Sequence, residues 1–257
     1  MISLIPPAGF STPLYALEPT LDMVNLGPYG STVAANLYSG YFGESPVPAA
    51  NLYSMQHDQA LGRDFLTLSN PGIRVGNPML CTASSASTPG NLPLVPMSVR
   101  HAVKVRARLI PPQLGNWPCF GWSLPIEHTL KATLPVFVEV DNWEGGAGVG
   151  LGQGVNMWGG GVIHRAGQSP VVIANAYADK LHNPGLWHDY TVIWDPAAVL
   201  TLLIDGIIVG GANLAPYLSA AELAQVLSHH AYQICDLDTS APGTPSQAQI
   251  ARWECWT

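Results

Sequence analysis

Apolar and polar positions alternate with a period of two along much of this chain, and a helical period is rare. The clearest case is residues 99–110. Val103, Val105, Ala107 and Leu109 alternate there with Lys104, Arg106 and Arg108. That pattern predicts a strand with one buried and one wet face, as in an antiparallel sheet, ended by Pro111-Pro112. Residues 188–194 repeat it, with Tyr190, Val192 and Trp194 on one side, and Asp195-Pro196-Ala197-Ala198 reads as a turn. Two apolar runs, 200–204 and 207–209, flank Asp205-Gly206 and form a hairpin signature. Further strands are expected at 65–68, 134–144, 161–164, 171–174 and 250–256. Turns are expected at Asn70-Pro71-Gly72 and Thr88-Pro89-Gly90. One short helix is predicted, because Ser219-Ala220-Ala221-Glu222 is a capping box ahead of an apolar run at 223–227. There is no internal repeat and no linker. A single all-β domain over residues 1–257 is the economical reading.

Composition agrees. Of 257 residues 47% are hydrophobic, and 26 glycines and 23 prolines are spread along the chain, which suits many short strands and argues against a helical bundle. Only 11% of residues are charged, the net charge is −7, and the three lysines (Lys104, Lys131, Lys180) form no basic stripe. That argues against a nucleic-acid partner and suits a neutral polymer better than a polyanion. No stretch of 18 apolar residues predicts a membrane span, and residues 1–7 lack the basic and apolar regions of a signal peptide. Cys81, Cys119, Cys235 and Cys255 include no C-x-x-C pair, so no zinc site is expected. Their three disulfide connectivities, or free thiols, stay open.

The densest chemistry is Glu139-Val140-Asp141-Asn142-Trp143-Glu144, three carboxylates in six residues at the end of an apolar run. On a strand Glu139 and Asp141 share a face, and Glu144 has the wrong parity. One extra residue, a β-bulge at Asn142-Trp143, returns Glu144 to that face. Two glutamates then flank an aspartate, the arrangement of a retaining glycosidase, whose two carboxyl groups stand about 5–5.5 Å apart. The six residues alone also fit solvent-facing carboxylates on an edge, or calcium ligands. The glycine-rich run 145–152 is not a phosphate loop, since no G-x-x-x-x-G-K-[ST] is present.

Three ordered segments resemble the blocks of family 16 glycoside hydrolases. Trp117-Pro118-Cys119-Phe120 with Trp122 resembles the W-P-A-F-W block, and residues 139–144 fit the bulged form of the E-x-D-x-x-E signature. Trp187-His188-Asp189-Tyr190-Thr191-Val192-Ile193-Trp194, with Ile204-Asp205-Gly206, resembles the F-H-x-Y-x-x-x-W…V-D-G block. The resemblance covers residues 99–257 well and 1–98 loosely. Val138, Asn142 and Trp143 depart from the family's usual small or apolar residues. The resemblance implies an all-β, concanavalin A-like jelly-roll sandwich of two curved antiparallel sheets with a concave-face cleft.

It also implies an endo-acting retaining hydrolase or transglycosylase of a β-linked polysaccharide, such as a β-glucan or galactan. Glu139 would be the nucleophile, Glu144 the general acid/base, and Asp141 the group between them that keeps their ionisation apart. Trp117, Trp122, Trp143, Trp158 and His164 are the candidate substrate-binding residues, the tryptophans because indoles stack on sugar faces. A structural role is the rival reading for each of them. His188 reads as structural, and His229-His230 has no ligand spacing. The expected partner is a polysaccharide or oligosaccharide, with no cofactor. A structural calcium ion on the convex face is compatible with the resemblance but has no assigned ligands. The alternative is a non-catalytic glycan-binding or structural jelly roll, for example a virion or cell-surface protein; an extracellular or virion-associated setting suits both readings. The oligomeric state is not legible.

Overall fold

A computed structural model describes residues 5–18, 32–34, 37–42, 53–70, 77–81, 94–110, 116–125, 134–145, 157–177, 185–239 and 246–257. For 32–34, 37–42, 77–81, 109–110, 116–125, 142–145, 157–158, 174–177, 232–239 and 246 it describes the backbone alone. The expected turns at 71–72 and 88–90, and the glycine run beyond Gly145, lie outside the described residues.

The strands form two antiparallel sheets. In one, the order across the sheet is β15 (Ile207–Asn213), β14 (Val199–Ile204), β13 (His188–Asp195), β8 (His101–Ile110), β17 (Ser246–Trp256), β5 (Arg63–Asn70) and β4 (Tyr53–Asp58), with β1 (Pro13–Leu17) also paired to β17. In the other it is β12 (Val171–Tyr177), β11 (Met157–Arg165), β10 (Val136–Gly145), β9 (Asn116–Pro125), β16 (His230–Thr239), β6 (Asn77–Cys81), β3 (Leu37–Phe42) and β2 (Thr32–Ala34), with β7 (Val95–Pro96) also on β16. This is the two-sheet antiparallel sandwich that the resemblance implies, built from the alternating strands that the pattern predicts. Residues 1–98 supply strands to both sheets.

The core lies between the sheets and is built from the alternate positions that the sequence marks as apolar. Val103, Val105 and Ala107 of β8, Tyr190, Val192 and Trp194 of β13, and Trp253 and Cys255 of β17 meet Val136, Val138 and Val140 of β10 and Ile163 of β11. Lys104, Arg106 and Arg108 take the outer face of β8, where Lys104 and Arg106 pair with Asp189 and Arg108 with Asp58. A smaller apolar cluster on that outer face joins Phe10 to Ala102, Ile193, Leu203 and Trp256. It is covered by the amino-terminal segment, whose Ile5 and Gly9 carbonyls accept from Lys104 and Arg100.

The β14–β15 hairpin turns at Asp205-Gly206, both with positive φ (51° and 79°), as a type I′ turn requires. The helix α1 (Ala220–Ser228) starts at Ser219 with the predicted capping box, Ser219 and Glu222 bonding each other's backbone amides. The sequence pattern stops short on several elements. β11 starts at Met157, so Gly159-Gly160-Gly161 lies within a strand, β4 is one of the short strands read without bounds in residues 1–95, and β16 was not anticipated.

Candidate active site

Strand β10 carries the site. Val136, Val138 and Val140 face the intersheet core, so Phe137, Glu139 and Asp141 occupy the opposite face. Asp141 pairs with Gly160 of β11, but Glu144 pairs with Trp158: three steps along β10 match two along β11. This is the one-residue bulge that the carboxylate spacing requires. Trp158 lies two residues from Gly160 and so shares its face. Position 144, opposite Trp158, thereby joins the face of 139 and 141. The side chains of 142–145 are not among those described.

The bulge is shared between two strands. β10 and β9 stay in step across it, with Val140, Trp143 and Glu144 opposite Ser123, Phe120 and Cys119. Between β9 and β16 the shift reappears, because Ile234 pairs with Trp122 and Asp236 with Cys119. The two central strands thus each carry one residue more than their outer neighbours. A bulge bends its strand and raises the local twist, and both register shifts lie in the rows of the carboxylates.

Among described side chains, Glu139 has the most informative surroundings. Its Oε2 lies 2.6 Å from His164 Nε2. When Glu139 is ionised its oxygens only accept, and Nε2 is then the donor of this pair. The imidazole in turn stacks flat on Phe137, with ring centroids 4.4 Å apart and planes 4° from parallel. Glu139 and His164 keep 14% and 21% of their side-chain surface in contact with solvent, whereas Asp141 is buried at 1% and Phe137 at 2%. The site therefore has an accessible carboxylate beside a buried one.

Of the expected tryptophans, the backbone brings two positions alongside the carboxylates. Trp158 lies opposite 144, and the in-step pairing of β9 and β10 sets Trp122 opposite 141. Trp143 lies in the bulge opposite Phe120, and Trp117 lies nearer the start of β9 opposite Asp238. The side chains of all four lie outside the description. His188 instead clasps the hairpin, its Nδ1 2.6 Å from Asp205 Oδ2, on the other sheet. Burial tends to raise the Asp205 carboxyl. The Asp189 amide, the His188 hydrogen bond and the charges of His188 and Arg106 together hold it below its usual value. Trp187 is also remote from the cleft sheet. It donates to Asp58 Oδ2 and lies under the Arg108 guanidinium.

Sequence reasoning missed three positions on or near the site face: Phe137, Asp236 and Asp238. Phe137 passed as part of an apolar run, although its parity with Glu139 places it on the cleft face. Asp236 pairs with Cys119, which itself pairs with Glu144, so it belongs to the row of position 144. Only the alternation Tyr232, Ile234, Asp236, Asp238 hinted at this. Across the described strands of this sheet the sole Lys or Arg is Arg165, and its guanidinium is engaged by Glu222 Oε1 and the Tyr217 carbonyl, both at 2.6 Å. Among the described residues, no group of three or more His, Cys, Asp or Glu is arranged to hold a metal ion.

Two antiparallel sheets, one carrying the carboxylate strand on its outer face, define the concanavalin A-like jelly-roll class. Within that class, the solved structures that this chain resembles include family 16 glycoside hydrolases. SCLam, a non-specific endo-β-1,3(4)-glucanase, superposes with a TM-score of 0.59 over 98% of this chain and 94% of its own, at 13% identity. A Bacteroides ovatus mixed-linkage glucan enzyme of family 16, solved with an oligosaccharide product, gives 0.59 over 86% and 94%, at 15% identity. The endo-β-1,3-glucanase of Pyrococcus furiosus gives 0.52 over 75% and 74%, at 18% identity. The chain has the fold of these enzymes. It matches no protein-family model and no curated protein sequence.

Proposed function

We propose that this protein is an endo-acting retaining β-glycan hydrolase or transglycosylase that uses Glu139 as nucleophile and Glu144 as general acid/base. The observation that carries the reading is the bulge between Asp141 and Glu144. It gives position 144 the face of Glu139 and Asp141 on a sheet with the family 16 fold. In the first step the Glu139 carboxylate attacks the anomeric carbon as the glycosidic C–O bond breaks, and the Glu144 proton passes to the leaving oxygen. In the second step Glu144 takes a proton from water, or from an acceptor sugar hydroxyl. The oxygen so activated displaces Glu139 and restores both groups. Asp141, buried beside Glu139, is the group that keeps the two glutamates in opposite protonation states.

Charge narrows the substrate. The cleft sheet carries Glu139, Asp141 and Glu144 on β10 and Asp236 and Asp238 on β16, with no uncommitted Lys or Arg among its described residues. An anionic polymer lying across β10 and β16 would meet like charge at these positions. A neutral β-glucan would not. The neighbours solved with or named for β-glucans point the same way.

The test is reducing-end release from β-1,3-glucan, mixed-linkage glucan, agarose and carrageenan, with wild type beside Glu139→Gln and Glu144→Gln. Release from a neutral glucan is expected, with loss of roughly 10²–10⁴-fold or more in each variant and none from carrageenan. Equal activity in the variants would overturn the assignment. Binding without release would make the cleft a glycan-binding site.

A further inference from the structure

We infer that Phe137 is a positioning residue that acts through His164 to hold the Glu139 carboxylate. The inference rests on the reading of Glu139 as nucleophile. Phe137 and His164 are directly opposed in the β10–β11 register, and both lie on the face of Glu139. A centroid separation of 4.4 Å with planes 4° apart leaves the imidazole no room to rotate out of its plane on the side of Phe137. Within that plane Nε2 meets Glu139 Oε2 at 2.6 Å. The phenyl ring is 2% exposed, so it offers no face to a sugar. Its one function on the cleft face is to fix the ring laid on it. His164 is thus committed on one face to Phe137 and on one edge to Glu139.

Nucleophilic attack needs one oxygen of Glu139 aligned with the anomeric carbon, and a hydrogen bond to the other oxygen sets that alignment. Without the phenyl ring the imidazole gains rotational freedom and the carboxylate loses a fixed donor. Misplacement on the ångström scale costs roughly 10- to 100-fold in rate. The effect falls on the bond-making step and not on polymer binding.

The experiment uses an activated 2-deoxy-2-fluoro β-glucoside of one to three sugar units as probe and follows covalent labelling of Glu139 by mass spectrometry. Phe137→Leu, which keeps apolar bulk but removes the flat ring, is expected to slow labelling roughly 10- to 100-fold at an almost unchanged probe KM. Phe137→Tyr is expected to recover most of the rate. In a His164→Asn background Phe137→Leu should add little, because its route to Glu139 is already gone. Effects of the two substitutions that multiply, or wild-type labelling in Phe137→Leu, would overturn the inference. A second readout needs no turnover. The His164 Nε2 proton, observed by ¹⁵N-edited NMR, should be retained in wild type and Phe137→Tyr and lost to exchange in Phe137→Leu. If wild type neither labels nor cleaves while these NMR differences hold, the positioning pair stands and the hydrolase reading falls. An unchanged Nε2 signal in folded Phe137→Leu sinks the positioning role.

Discussion

Gly161 shows how closely single atoms are fitted behind the cleft. It pairs with Val140 on the core side of β11, one residue from the Asp141–Gly160 row. A Cβ built there would run into Leu214 Cδ2, and Leu214 is fully buried. Gly161→Ala therefore has to displace a core leucine. A loss of about 1–3 kcal/mol in urea-unfolding stability is expected, and Gly161→Ala with Leu214→Ala should lose less than the two single losses added together. Cys255 shows the opposite use of burial. It is a free thiol among apolar side chains, and burial pushes it up to about 12 despite hydrogen bonds from Tyr15 and the backbone. It behaves as a small core residue with no nucleophilic role.

Among the elements, α1 is where local sequence and tertiary contact reinforce each other. Ser219 and Glu222 close the amino-terminal cap, and Glu222 also binds Arg165 at the end of β11. The Arg165 hydrogen bond first, then those from Ser219, bring the Glu222 carboxyl down to about 2. The helix is thereby tied to the strand that carries His164. Ser219→Ala removes the cap and is expected to lower stability by about 1 kcal/mol, read as a reduced midpoint in chemical denaturation. The paired bulges in β9 and β10 are a second element-scale device. One was legible, because an extra residue between Asp141 and Glu144 is what brings all three carboxylates to one face. Its counterpart in β9 was not, because nothing in Phe120-Gly121-Trp122 says which strands will flank it.

For the whole molecule, the sandwich buries groups that resist charging, and this sets its response to acid. His101 opens β8 with 1% exposure, its Nδ1 3.0 Å from the Val99 carbonyl. Burial depresses its pKa to about 4, against the partial support of that carbonyl. Between pH 6.5 and 4 the unfolded chain holds this proton and the folded chain does not, so stability is full above pH 6.5 and falls as pH drops to 4. The expected contribution is about 3 kcal/mol, and denaturant unfolding across this range in wild type and His101→Asn checks it. A variant with an unchanged slope would show that other groups set the acid limb.

The period-two alternation of β8 and β13, the Asp205-Gly206 turn, the capped helix and the E-x-D-x-x-E run were all legible in the sequence. Each rests on local physics: strand parity, positive φ, a side chain reaching back three residues. Strand order, the second bulge, the acidic row of Asp236 and the Phe137–His164–Glu139 stack were decided only by the tertiary structure. His164 is 25 residues from Glu139 in the chain, and β16 is farther still. Their meeting depends on which strands pair and in which register, a choice made by burying the whole core at once.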